Sequence, residues 1–374
     1  MPTPHALCFL IPGDWSVPTG GVAYDRRLAQ ALVAAGWAVD VHRLDAGWPA
    51  PDAAALARAR AVVADIADGF TVLADGLAFG VLDDVVAALA ERLRWVALVH
   101  HPLYLETGLK AAAGQRLLES ESRALSCARQ VVVTSPRTAQ DVAAMGVPAA
   151  RIQVVEPGTD AWPQGPACLA APAPNPARAG ALVCTSGRTD GPVRLLCVAT
   201  VTPRKGHALL LQALAGLQQL PRLSWELHCV GSLARDAATV ARVQAMSREP
   251  ALAGRVVWHG EVDAAALHGH YAAADLLVLA SLHEGYGMVV AEALAAGLPV
   301  LASDAGALAQ TLPAQAGWRV PPGDVPALQA ALQRLIGDPA LRERLAAGAR
   351  EAGCRLPDWP TQAARFAVVL DALP

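Results

Sequence analysis

The sequence predicts an α/β protein: two doubly wound parallel-sheet domains facing each other across a cleft. Short apolar runs alternate with helix-like segments along most of the chain, which is the rhythm of parallel βαβ units. The rhythm breaks in a stretch rich in proline, alanine and glycine, Pro157 to Pro192, and then restarts. A length of 374 residues suits two domains, each with its own core.

Leu7 to Ile11 reads as a strand, and Val22 to Ala35 as a helix ended by Gly36. A second strand, Ala38 to Leu44, precedes a helix over Ala53 to Val63 and a short strand, Phe70 to Ala74. The apolar run Trp95 to His100 ends in polar residues. After a loop come a helix, Gln115 to Cys127, and a strand, Gln130 to Thr134. Beyond the interruption, Val193 to Val201 is a strand and His207 to Leu217 a helix. Trp225 to Val230 and Val256 to His259 are strands separated by a helical stretch, Ala237 to Met246. Ala264 to Ala273 is helical, Asp275 to Leu279 and Pro299 to Ala302 are strands, and Val325 to Ile336 and Pro339 to Ala352 are helices. An amphipathic helix, Pro360 to Leu373, closes the chain. The expected boundaries are 1–160 for the first domain, 161–190 for a linker or long loop, 191–355 for the second domain and 356–374 for the last helix.

Composition removes several function classes. Apolar residues make up 54% and charged residues 17%, and the mean hydropathy is +0.33. Yet every apolar run is cut by acids or glycines, as Ala61 to Ala90 is by Asp65, Asp68, Asp75, Asp83 and Asp84. None reaches the roughly 18 residues that span a bilayer. The start of the chain shows no charged segment or cleavage site of a secretory signal, so a cytoplasmic location is expected. The net charge of −3, with dispersed basic residues, argues against nucleic acid as a partner. The seven cysteines show no CxxC pair and no metal spacing, and reduced, buried thiols are expected.

Ligands of such sheets bind beyond the carboxyl ends of the strands. There, after Asp275 to Leu279, the chain reads Ala280-Ser281-Leu282-His283-Glu284-Gly285-Tyr286-Gly287-Met288 and enters a helix carrying Glu292. Glycines admit a ligand close to the backbone, and a helix N-terminus offers free N–H groups. The combination suits an anionic ligand that also bears hydroxyls, such as a nucleotide sugar. It also fits an ordinary strand-loop-helix with a solvated Glu284, and the spacing alone proves little, since Glu343 and Glu351 share it. A second element, Thr202-Pro203-Arg204-Lys205-Gly206-His207, places paired cations where they can neutralise a diphosphate, or serve only as a solvated turn. A third, Pro18-Thr19-Gly20-Gly21-Val22, is a glycine turn without the G-x-G-x-x-G of nicotinamide sites. The fourth is Val99-His100-His101-Pro102. Two adjacent histidines point to opposite faces, and the acids a metal site needs are not nearby in sequence.

Taken together, these residues resemble the retaining glycosyltransferases of family 4. The likeness covers most of the chain, including Val154 to Asp160, Gly317 to Asp324 and the Asp338-Pro339 helix start. It implies the GT-B fold of two Rossmann-like domains, a nucleotide-sugar donor, no cofactor and no metal. Under it, Glu292 binds the donor ribose and Glu284 contacts the donor sugar. Arg204 and Lys205 hold the diphosphate, aided by Gly20, Gly21 and the Gly285, Tyr286, Gly287 and Met288 turn. His101 lies beside the reacting sugar, with His100 as the fallback. Transfer of the hexosyl group proceeds by front-face displacement through an oxocarbenium-like sugar. The acceptor is a carbohydrate or lipid-linked hydroxyl, with peripheral contact at the inner face of the membrane allowed. The last helix crosses back onto the first domain.

The chain departs from the family pattern at three points. Asp304-Ala305-Gly306-Ala307-Leu308-Ala309 lacks the family's Pro-Glu, Glu156-Pro157-Gly158 replaces Asn-Gly, and Thr200-Val201 replaces a glycine. These bear on donor selection more than on reaction class. A nucleotide-sugar epimerase or hydrolase on the same fold, and a non-catalytic nucleotide-sugar-binding protein, are the rival readings. Replacing Lys205 or Glu292 by alanine is expected to abolish transfer and leave unfolding nearly unchanged.

Overall fold

The computed structural model describes residues 5–15, 19–160, 162, 191–219 and 223–373. Nearly all of the expected linker, together with Pro18, Cys168 and Cys184, lies outside them. The chain forms two compact units, Met1–Gly158 with Pro357–Pro374, and Thr159–Leu356.

The first unit runs β1 (Ala6–Pro12), α1 (Gly20–Ala34), β2 (Ala38–Leu44), α2 (Ala53–Ala64) and β3 (Thr71–Asp75). Next come α3 (Gly76–Phe79), α4 (Asp83–Ala88), β4 (Arg94–Val99) and α5 (Ala111–Cys127). β5 (Gln130–Val133), α6 (Pro136–Ala144) and β6 (Ile152–Val154) follow. Its sheet is parallel with order β2-β1-β3-β4-β5-β6. The central strands are apolar on both faces because helices cover both faces, and Leu7 to Ile11 is fully buried. β2 lies at the edge and tolerates Asp40, His42 and Arg43. The sequence reading passed over α6 and β6. In α6, Pro136 occupies the first turn, where its missing N–H costs nothing, and Ser135 caps the helix. In β6, three residues, two of them exposed, carry no strand pattern.

The second unit runs β7 (Val193–Val198), α7 (His207–Ala215), β8 (Trp225–Val230), α8 (Ala237–Met246) and β9 (Val256–Gly260). It continues through α9 (Ala264–Ala273), β10 (Leu276–Leu279), α10 (Met288–Ala295) and β11 (Val300–Ser303). α11 (Leu308–Thr311), β12 (Gly317–Val320), α12 (Val325–Gly337) and α13 (Pro339–Gly353) complete it. Its parallel sheet has order β12-β11-β10-β7-β8-β9. One core packs α7, α8 and α12 on one face, and another packs α9 and α10 on the other. β12, like β6, is a short edge strand that the sequence reading did not find. Among the described cysteines, Cys8, Cys197 and Cys229 are buried. Cys127 is half-buried and Cys354 exposed, which corrects the expectation of buried thiols; Cys354 caps α13 where that helix ends at the surface.

The last helix, α14 (Trp359–Asp371), belongs to the first unit. Trp359 meets Tyr24 of α1 edge-on at 5.5 Å, and Gln362 Nε2 donates to Glu156 O at 2.7 Å. Trp359→Ala should therefore lower the unfolding free energy by about 3–5 kcal/mol. Val368→Ala on the same helix, 67% exposed, should change it by less than about 0.5 kcal/mol. Urea unfolding of both variants checks this, and equal effects would contradict the packing.

Candidate functional site

Three loops converge at the carboxyl ends of β7, β10 and β11. After β7, Pro203–Lys205 form a 3-10 turn, and Gly206 closes it with a φ of +67°. A Cβ at Gly206 would run into Ala280 O, so the glycine lets this turn rest on the end of β10. Leu282 N then donates to Arg204 O at 2.7 Å. Gly306, after β11, has a φ of +61°, and a Cβ there would strike Glu284 O. Ala307 N donates to that same carbonyl at 2.8 Å, and Ser303 Oγ donates to Ser281 O. The stretch that lacks the family's Pro-Glu thus supports the Glu284 loop through its backbone.

These contacts place Glu284, only 5% exposed, against the basic turn. Lys205 Nζ donates to Glu284 Oε1 at 2.6 Å, and Ser281 Oγ donates to the same oxygen at 2.7 Å. Arg204 Nη1 lies 3.6 Å from Glu284 Oε2 and donates to His283 O at 3.0 Å. Burial alone would raise the Glu284 pKa, but Lys205 and Arg204 outweigh it and draw the carboxyl down to about 2. One carboxylate against two cations leaves the group with one net positive charge, held on a preorganised turn. Net positive charge on a fixed turn is chemistry that suits an anionic ligand.

Glu292 lies one turn inside α10 and takes a different partner. Tyr271 Oη, from α9, donates to Glu292 Oε2 at 2.7 Å. Burial raises the Glu292 pKa, and the tyrosine bond works against that rise. Trp162 packs edge-on against Tyr271 at 5.2 Å. In the loop between the two acids, Tyr286 O accepts from Thr311 Oγ1 at 2.7 Å, and Gly287 caps α10.

The first unit gathers a second charged cluster. Thr19 caps α1, and Gly20 and Gly21 are its first residues, not a loop before it as the glycine turn led us to expect. The small residue at Gly21 lets the His100 ring approach: a Cβ there would lie 3.3 Å from His100 Cδ2. His100 Nε2 lies 3.1 Å from Asp25 Oδ1 and 3.2 Å from Asp75 Oδ2. Acidic partners are therefore present, contrary to the reading from sequence neighbours, because α1 and β3 deliver them from afar. Burial and Asp75 push the Asp25 carboxyl up to about 7. Burial alone would depress His100, but Asp25 and Asp75 raise it to about 10. The three ligand atoms lie within 4.8 Å of one another, so one imidazole is shared between two buried carboxylates. His101 takes a different acid, with Nε2 3.5 Å from Glu106 Oε2.

Sequence reasoning named Arg204, Lys205 and Glu284 separately and the fold joins them. It missed Asp25, Asp75 and Tyr271, and named Ser281 and Gly306 only as members of their stretches. Asp75 ends β3, where the strand-end rule would have flagged it; Asp25 and Tyr271, inside helices, carry no local signal. Because the Glu284 pKa is depressed in the folded state, its stabilisation is complete above the unfolded value near 4.5 and is lost as the pH falls toward 2. Between pH 5 and pH 2 the wild type should lose about 3 kcal/mol more stability than Glu284→Gln. Urea midpoints across that range test it; parallel curves would refute the buried ion pair.

Comparison with known proteins bears on the family and the fold. Residues 192–338 match the family model "Glycosyl transferases group 1", and residues 80–158 match "Glycosyl transferase 4-like domain". The chain is 29% identical over 284 residues to a D-inositol 3-phosphate glycosyltransferase of Xylanimonas cellulosilytica, covering 72% of this chain and 65% of that protein. It is 34% identical over 173 residues to a phosphatidyl-myo-inositol mannosyltransferase of Mycobacterium leprae, covering 46% and 44%. The chain thus spans about half to just under two thirds of the length of these relatives. A sucrose-phosphate synthase structure from Thermosynechococcus elongatus superposes with a TM-score of 0.78 at 26% identity, covering 99% of each chain. With both units matched by glycosyltransferase models and the fold shared along its length, the chain belongs to the family 4 glycosyltransferases of GT-B fold.

Proposed function

We propose that the chain moves a hexosyl group from a nucleotide-sugar donor to a hydroxyl of a carbohydrate or lipid-linked acceptor, with retention at the anomeric carbon and no metal ion in the transfer step. The supporting observation is the Arg204–Lys205 pair, held at the carboxyl end of β7 by the buried carboxylate of Glu284. Two fixed cations do the work a divalent ion would otherwise do, neutralising the diphosphate as it leaves. In this reading Glu284 first holds the cations in place, while its loop borders the donor sugar. Glu292, oriented by Tyr271, accepts from the ribose hydroxyls. The Gly285 to Met288 turn supplies backbone N–H groups, as do Gly20 and Gly21.

As the C–O bond to the diphosphate breaks, the sugar gains oxocarbenium character, and the acceptor hydroxyl enters from the same face, passing its proton to the departing diphosphate oxygen. His101, with His100 as the alternative, stands beside the reacting sugar, and the first unit carries the acceptor. The two inositol-directed relatives make inositol-bearing acceptors, free or in lipid, the first to try. A cytoplasmic enzyme working at the inner face of the membrane fits such acceptors.

The buried ion pair revises one expectation. Lys205→Ala strands the Glu284 charge and should cost about 3–5 kcal/mol of stability, so it is a poor probe of activity. Glu292→Gln keeps an acceptor for Tyr271. It should raise the donor KM at least tenfold with the Tm changed by less than about 2 °C, because the lost contact is to ligand and the fold keeps its hydrogen bond. A thermal-shift panel of UDP, GDP, ADP and TDP sugars identifies the donor. NMR of the product anomer, without added magnesium or manganese, tests retention and metal independence. Absence of binding and transfer across the panel, or an inverted product, would overturn the proposal.

A further inference from the structure

Three histidines that take no part in the proposed transfer meet on one face of the second sheet. His228 lies in β8, His259 in β9 and His270 on α9. One ring nitrogen from each lies within 4.8 Å of the others. His228 Nδ1 is 2.9 Å from His259 Nε2, and the His259 and His270 ring centroids are 4.3 Å apart.

A register shift builds the meeting point. His228 pairs with Val257 and Cys229 with Trp258, but Val230 pairs with Gly260, so His259 is the extra residue of a bulge. Bulges are uncommon in parallel pairs and re-aim a side chain. His259 lies at that bulge and stacks on His228 with ring centroids 5.2 Å apart, on the face opposite the core that takes Trp258. The far nitrogen of His228, Nε2, lies 3.3 Å from Glu226 Oε1, and Arg194 Nε fixes that carboxylate at 2.6 Å. His228 Nε2 makes no hydrogen bond as it stands, and a modest ring rotation would bring its N–H onto Glu226 and leave Nδ1 as a lone pair, the arrangement found around metal-bound imidazoles.

We infer that His228, His259 and His270 form a transition-metal site of the zinc class, with Glu226 as the outer partner of His228. Zinc–nitrogen bonds of about 2.0–2.1 Å at tetrahedral angles set ligand nitrogens about 3.3 Å apart. The 2.9 Å between His228 Nδ1 and His259 Nε2 and the 4.8 Å limit on the other separations lie on either side of that value, so small side-chain rotations would close the site. Three imidazoles leave a fourth position for water. The bound ion ties the exposed edge strand β9 to β8 and α9, and its effect is on stability.

The test uses the full chain, stripped of metal and titrated with zinc chloride alone. At free zinc a hundredfold above Kd, the Tm should rise by roughly 5 °C or more, with one zinc bound per chain. Cobalt(II) should give the visible absorption of a low-coordinate nitrogen site. His259→Gln/His270→Gln should lose both signals, while His42→Gln, altering a half-buried histidine of the first unit, should keep them. If the double variant fails to fold by circular dichroism, His270→Gln carries the test with at least tenfold weaker zinc binding. No shift in the wild type, or the same shift and cobalt spectrum in the variants, would mean adventitious binding and overturn the assignment.

Discussion

Glu284 is a carboxylate taken almost entirely out of water, and it stays ionised because Lys205, Ser281 and Arg204 stand where water was. Burying a charge costs several kcal/mol unless partners of good geometry replace its hydration. The three loops at the carboxyl edge of the second sheet are built around that requirement. Gly206 lets the basic turn touch β10, and Gly306 lets the β11 loop support the Glu284 backbone. An arrangement of this kind is expensive to assemble and hard to deform, which is the property an anion receptor needs. Its cations are already oriented when ligand arrives, so little ordering is left to pay for.

The first unit solves a related problem with protons. Asp25 and Asp75 are buried beside one histidine, and one imidazolium cannot fully neutralise two carboxylates. The outcome is a raised Asp25 and a strongly raised His100. Asp75 also caps α3 through its other oxygen, donated to by Leu77 N at 2.7 Å, so the cluster is tied to the backbone at the end of β3. The two units therefore place buried charge in the same topological position, past the carboxyl ends of parallel strands.

That position is a property of the doubly wound sheet, and many chemistries share it. Membership of the glycosyltransferase family narrows the chemistry, but the relatives extend well beyond the matched region. The histidine cluster on β8, β9 and α9 stands apart from this reasoning, since it serves an edge strand and no transferred group.

Alternation of apolar runs with helical segments was enough to determine two parallel sheets, because that pattern is local and periodic. The tight motifs were legible for the same reason: Arg204-Lys205-Gly206 and Glu284 each sit within a few residues of a strand end. Short edge strands such as Ile152–Val154 and Gly317–Val320 escaped, having too few residues and too little burial to print a period. Gly20 and Gly21 were misplaced because the Thr19 cap, not the glycines, decides where α1 begins. Tertiary structure alone decided that Lys205 would neutralise Glu284, 79 positions away, and that Asp25 and Asp75 would converge on His100. It alone brought His228, His259 and His270 together, through a bulge no spacing announces. Electrostatic and ligand geometry depend on distance in space, and only the folded chain converts separation in sequence into that distance.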